Sequence, residues 1–123
     1  KFVRAAQSNW QEVEVWGDGS QEREFLYIED AVRGIVAAAD QSDELVLNLG
    51  CGGSESIRKI SEIVASKANF KGTTHYVSEG RFVGVRKREL DSTLVLEKLG
   101  WQSRVSLDEG INRTVRWCME NDD

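Results

Sequence analysis

Three observations place this sequence in the α/β class. Residues Glu12–Trp16 alternate polar and apolar, with Val13 and Val15 on one side, as a half-buried strand does. Ile57, Ile60, Ile63 and Val64 recur at helical spacing. Strand-like and helix-like segments then interchange along the chain. The predicted fold is a small α/β lobe with a few short strands and about four helices. With 123 residues it is a single domain, 1–123, able to bury a core without disulfide staples.

Phe2, Val3 and Ala6 read as the end of an amphipathic helix whose beginning lies outside the sequence. Lys1 is therefore expected to be an internal position of something larger. Gly17-Asp18-Gly19-Ser20 is a turn after the first strand, and residues 24–28 read as a second strand, the two forming a hairpin with a long loop. Glu29 and Asp30 then open a helix to about Ala39. Val32, Ile35 and Val36 form its expected buried stripe. The apolar run Leu45, Val46, Leu47 and Leu49 predicts a strand buried on both faces.

Gly50-Cys51-Gly52-Gly53-Ser54 is a glycine-rich loop, and Ser56 is a candidate N-cap for the helix that follows. Residues 73–77 form another strand. Residues 79–89 are irregular and basic. Asp91 opens a short helix carrying Leu94, Val95 and Leu99, stopped by Gly100, after which Trp101 packs back. Ser106 and Glu109 form a capping box for a last helix with Ile111, Val115 and Cys118 inward. Trp10 and Trp117 are also read as packing residues, and 121–123 as a fraying end. Proline is absent, so turns must rest on Gly, Asn, Asp and Ser.

Composition narrows the function. The net charge of −5 argues against general nucleic-acid binding, which needs a basic face. No apolar run is long enough for a membrane span, and no secretory signal opens the sequence. Cys51 and Cys118 form no zinc or CxxC spacing and read as unpaired thiols in a cytoplasmic protein. No metal-ligand spacing is present. His75, the single histidine, reads as an ordinary strand residue, and Cys51 as a small filler.

The cationic residues are unevenly placed. Arg81, Arg86, Lys87 and Arg88 fall within one short stretch of an acidic chain, and Arg23 follows the glycine turn. Guanidinium groups fork onto phosphate oxygens, so such placement suits a phosphorylated ligand. The alternative is a solvated loop with surface ion pairs to Glu79 and Glu89. Trp16 fits either a stacking role in a base or sugar pocket or a packing role.

The segment from Val15 to Asp30, with Trp16, Gly17, Gly19, Ser20, Arg23, Phe25, Tyr27 and Asp30, resembles the "VWGDGSQxRDFxYVxD" segment of the extended short-chain dehydrogenase/reductases. These are the NAD(P)-dependent nucleotide-sugar epimerases, dehydratases and reductases. Leu47-Asn48-Leu49-Gly50-Cys51-Gly52 is similar to their "YNIGSG", with Cys51 in place of Ser. Ser56-Ile57-Arg58, Arg88 with Asp91, Leu99-Gly100-Trp101 and Ser106-Leu107-Asp108-Glu109-Gly110-Ile111 continue the likeness to Asn121. The GDP-fucose synthase branch is the best match.

The resemblance implies a C-terminal substrate-binding lobe that holds a nucleotide-diphosphate sugar. By position, Arg23 and Arg88 would clamp the diphosphate, with Lys87 and Arg86 as neighbours and Trp16 lining the pocket. The family's proline before the second basic site is missing here, so Arg86 remains the alternative to Arg88. The family's glycine-rich βα turn has no counterpart, and neither Tyr27 nor Tyr76 has a lysine four residues later. The resemblance thus implies that no catalytic residue and no cofactor site lie in this chain. The N-terminal dinucleotide-binding (Rossmann) domain would be absent, and NAD or NADP would belong to the full-length enzyme. The chain alone is expected to be inactive, and to self-associate, as a homodimer, through an exposed interdomain surface near the first hairpin and the glycine-rich loop. The alternative reading is a free-standing, non-catalytic binding or protein-interaction module. Sugar, base and reaction type are not legible.

Overall fold

Val13 is buried and Val15 half-buried, so the first alternating segment forms a strand as its pattern requires. The computed structural model describes residues 1–41, 46–78 and 84–121. Along these residues the elements are α1 (Phe2–Gln7), β1 (Glu12–Trp16), β2 (Glu22–Arg23), α2 (Ile28–Ala39), β3 (Glu55–Ser56), α3 (Ile57–Lys67), β4 (Thr73–Val77), β5 (Lys87–Arg88), α4 (Thr93–Leu99) and α5 (Leu107–Asn121). The expected α/β lobe of short strands and helices is therefore what forms.

The strand pairing differs from the expected hairpin. β1 runs parallel to β4, from Glu12 opposite Thr73 to Trp16 opposite Val77. Parallel neighbours need a long crossover, and the intervening α2 and α3 supply it. A second sheet has the order β3-β2-β5, antiparallel then parallel. Residues 24–27 are not strand. The turn is the cause. The Asp18 carboxylate accepts from the Ser20 amide (2.8 Å), and the Gln21 side chain donates to the Trp16 carbonyl (3.0 Å). Gly17 and Gly19 sit at φ 90° and 83°, where a side chain would be strained. The chain is thereby sent to the other sheet.

The main core joins Phe2 and Ala5 of α1, Val13 of β1, Ala68 after α3 and Val115 of α5. The Phe2 and Phe70 rings meet edge to face at 5.6 Å. The helix ends read from sequence hold. The Ser56 hydroxyl accepts from the Lys59 amide, the Ser106 hydroxyl accepts from the Glu109 amide, and Gly100 ends α4 in the left-handed region. The Glu109 carboxylate does not complete the capping box, since it receives Arg113 instead. Asp91 accepts from the Thr93 amide beside the α4 start, where Ser92 is the N-cap.

A second packing centre lies around Trp101, which is 3% exposed and donates from Nε1 to the Asp30 carbonyl (3.2 Å). The 2% exposed Asp30 carboxylate accepts from the amides of Arg104 and Val105, both at 2.8 Å, and from Arg33. α2 thus turns Asp30 and Gly34 inward, towards Trp101 and Leu49. Val32, Ile35 and Val36 consequently point outward, with Ile35 61% exposed, contrary to the expected buried stripe. A helix with apolar groups on two sides can bury only one against a single neighbour.

Residues 46–50 are likewise not strand, and Val46 is 93% exposed rather than buried. Residues 44 and 45 of that expected strand lie outside the described residues. Trp10 and Trp117 are exposed, not packed, because they sit on the outer sides of their segments; Trp117 is 64% exposed. The fraying expected at 122–123 also falls outside the described residues.

Candidate functional site

β2 is the central strand of the three-stranded sheet, and it carries Arg23. Its place is fixed from both sides. The Ile57 amide donates to the Gln21 carbonyl (2.9 Å), and the Glu22 amide donates to the Arg86 carbonyl (2.7 Å). On one side Arg23 pairs with Glu55 of β3; on the other it pairs with Arg88 of β5. Residues opposite one another across a ladder project from the same face. Two arginines far apart in sequence therefore stand side by side. Arg88 is exposed and Arg23 half-buried, so the pair lies on an open face. Among the described residues neither guanidinium forms an ion pair; Arg23 donates to the neighbouring Glu22 carbonyl (2.6 Å).

Lys87 is placed differently. Its ammonium meets Glu89 at 2.7 Å and Glu22 at 3.8 Å. Glu89 holds the lysine pKa above its ordinary value, and Lys87 holds Glu89 below the usual carboxylate range. Ser54 donates to Glu22 in the same cluster (2.9 Å). The sheet thus carries a self-neutralised side around Lys87, while the other side sets Arg23 between Glu55 and Arg88. Arg86 is exposed at the bend before β5. Arg81 lies outside the described residues.

Trp16 is at the end of β1, in the other sheet. Its Nε1 donates to Glu14 (2.9 Å), and the Lys1 ammonium lies 5.7 Å from its ring. The structure places Trp16 with these groups, not with the arginine pair. His75 is on β4, 3.6 Å from Glu12. Burial raises the Cys51 thiol above its ordinary pKa, which keeps it protonated and poorly nucleophilic near neutrality.

Sequence reasoning missed Glu24. Its carboxylate accepts from the amides of Cys51, Gly52 (3.0 Å) and Leu90 (2.7 Å). An acidic residue after the arginine belongs to the quoted family segment, but nothing in the sequence names the distant amides it meets. The interaction also decides how the glycine-rich loop is used. Amides at Cys51 and Gly52 already hold an anion of the chain itself. A dinucleotide pyrophosphate does not fit there, since it would meet the Glu24 carboxylate. Beside this loop opens a groove of about 580 Å³, but none of Trp16, Arg23, Arg86, Lys87 and Arg88 lines it. Glu89 and Asp91 do, which suits an anion poorly. Among the described residues no His/Cys/Asp/Glu group could hold a metal, and no helix is long and apolar enough to cross a membrane.

Residues 1–50 match the model of the NAD dependent epimerase/dehydratase family. GDP-L-colitose synthase of Yersinia pseudotuberculosis is 33% identical, over 97% of this chain and 39% of its own length. A probable GDP-L-fucose synthase of Oryza sativa subsp. japonica is 34% identical, over 98% of this chain and 37% of its own. The structure of UDP-glucose 4-epimerase with UDP-glucose from Thermotoga maritima superposes with a TM-score of 0.87 at 30% identity, over 99% of this chain and 39% of that one. This chain is a relative of the NAD-dependent epimerases and dehydratases. It fits the C-terminal part of these extended short-chain dehydrogenase/reductases, and it spans well under half the length of those relatives. In this epimerase/dehydratase fold the three-stranded sheet brings Arg23 and Arg88, far apart in sequence, side by side.

Proposed function

We propose that this chain holds the nucleoside diphosphate of a nucleotide sugar for an NAD(P)-dependent epimerase, dehydratase or reductase. The observation that carries the reading is the cross-strand pairing of Arg23 with Arg88. Like charges directly opposite one another cost stability, and Glu55 on the other side of Arg23 forms no ion pair with it among the described residues, so the arginine pair invites an anion between its members. A diphosphate offers two negative groups to two forks. The relatives support the sugar-nucleotide class: one was determined with UDP-glucose. Redox chemistry belongs to residues outside 1–123, because the described residues offer the cofactor pyrophosphate no fitting loop and the sequence has no Tyr-xxx-Lys pair. Alone, the chain is a binding lobe without turnover.

Titration calorimetry with UDP-glucose and GDP tests this. Saturable binding that weakens in Arg23→Ala and in Arg88→Ala supports it. No heat with either nucleotide, from a folded chain, rejects it.

A non-catalytic interaction module is the second reading, and one observation favours it. Ile28, Val32, Ile35 and Val36 leave an apolar stripe on the outer side of α2. Such a stripe supports self-association or docking against a further α/β layer.

A further inference from the structure

We infer that Glu24 is a positioning residue for diphosphate binding: its carboxylate holds the strand that bears Arg88 in register beside Arg23. The inference rests on the diphosphate reading given above and adds the device that makes the arginine pair possible.

β2 and β5 share only two residue pairs, Glu22 with Lys87 and Arg23 with Arg88. One of the two sets cation against cation, which pushes the strands apart. A ladder this short needs an outside restraint. Glu24 follows Arg23 directly, and its Oε2 accepts from the Leu90 amide at 2.7 Å, two residues beyond Arg88. Its Oε1 accepts from the amides of Cys51 and Gly52. One carboxylate therefore ties three segments: β2, the glycine-rich loop and the exit of β5. Bonds from amides to an ionised acceptor are roughly twice as strong as neutral ones.

Gly50 shows how closely the loop is drawn in. A Cβ there would lie 2.6 Å from both Glu24 Oε1 and Ser92 Oγ. The Gly50 amide donates to that Ser92 hydroxyl (2.9 Å), which adds a second tie to the same region. Like-charge repulsion at Arg23 and Arg88 is thus opposed by anionic ties around it, and the pair is held ready for an external anion. Pre-organisation of this kind lowers the ordering cost of binding.

The test is a double-mutant cycle on the 123-residue chain, with UDP and GDP as probes and amide NMR as the second readout. Glu24→Gln is expected to weaken UDP or GDP binding about tenfold, because Arg88 loses its fixed position. In an Arg88→Ala background the same change is expected to cost less than about twofold, since nothing remains to be positioned. The amide protons of Cys51, Gly52 and Leu90 should move upfield in Glu24→Gln, while those of Arg104 and Val105, held by Asp30, stay in place. If Glu24→Gln does not fold, Gly50→Ala displaces the same carboxylate and carries the same expectations. Equal affinity with and without Glu24, or losses that simply add, would overturn the positioning role and leave the diphosphate reading standing. No affinity of the unaltered chain for UDP or GDP would overturn that reading and the positioning role together.

Discussion

Arg23 and Arg88 are Cα partners in a parallel strand pair, although 64 residues of chain lie between them. That relationship puts two fixed positive charges on one face of a protein with a net charge of −5. Local potential, not net charge, decides which ligand a face attracts.

Removal of either arginine should be costly to nucleotide binding and cheap for the fold. Arg23→Ala or Arg88→Ala is expected to lose about 1.5–3 kcal/mol of UDP or GDP affinity, the worth of hydrogen bonds to a charged group. Thermal stability should hold or rise slightly as the repulsion is relieved. Calorimetry at two salt concentrations, beside a melting curve, reads both. Unchanged affinity in both variants would contradict the arrangement.

Lys87→Ala should behave unlike Arg88→Ala despite adjacency. Its ammonium is already engaged by Glu89 and Glu22. The expected effect on nucleotide affinity is less than about twofold, in keeping with the small worth of exposed ion pairs. A loss as large as that of Arg88→Ala would mean that Lys87 leaves its carboxylates to meet the ligand.

Asp30 predicts an acid limit to stability. Burial pushes its carboxyl pKa up, but the Val105 amide, Arg33 and the Arg104 amide outweigh this, and the net shift is downward. A carboxylate lowered on folding contributes stability that is fully present above its unfolded pKa of about 3.9 and is lost as pH falls through the folded value. Asp30→Asn is expected to cost about 2–3 kcal/mol at neutral pH, because the part-buried amides of Arg104 and Val105, together with Arg33, lose a charged acceptor. Its urea midpoint should depend less on pH below about 4 than that of the unaltered chain. Parallel pH dependence in the two chains would show that Asp30 is not the group responsible.

The outer stripe of α2 predicts concentration-dependent association. Ile35→Lys or Val36→Glu should shift the chain towards monomer in light scattering without lowering its melting temperature, because both side chains face solvent. Association undiminished by these changes would place the contact elsewhere.

The isolated chain should neither bind NAD(P)H nor oxidise or reduce it. Fluorescence titration of NADH and NADPH checks this. Saturable binding would show that the described loops accommodate a dinucleotide after all, and the Glu24 contact to Cys51 and Gly52 would have to open for it.

The sequence by itself determined the helix ends and the strands β1 and β4. Ser56, Ser106 and Gly100 mark helix ends through bonds and backbone angles that need only neighbouring residues, and α3 follows from its own isoleucine spacing. Arg23 and Arg88 were legible as candidates from their motifs. Only the tertiary structure decided that β1 pairs with β4, that Glu24 occupies the glycine-rich loop and that Val32, Ile35 and Val36 face outward. The physical reason is one of range. A cap or a turn is settled within a few residues, whereas strand partners and the buried side of a helix depend on which distant surface arrives. Alternation and periodicity describe a segment without naming its neighbour.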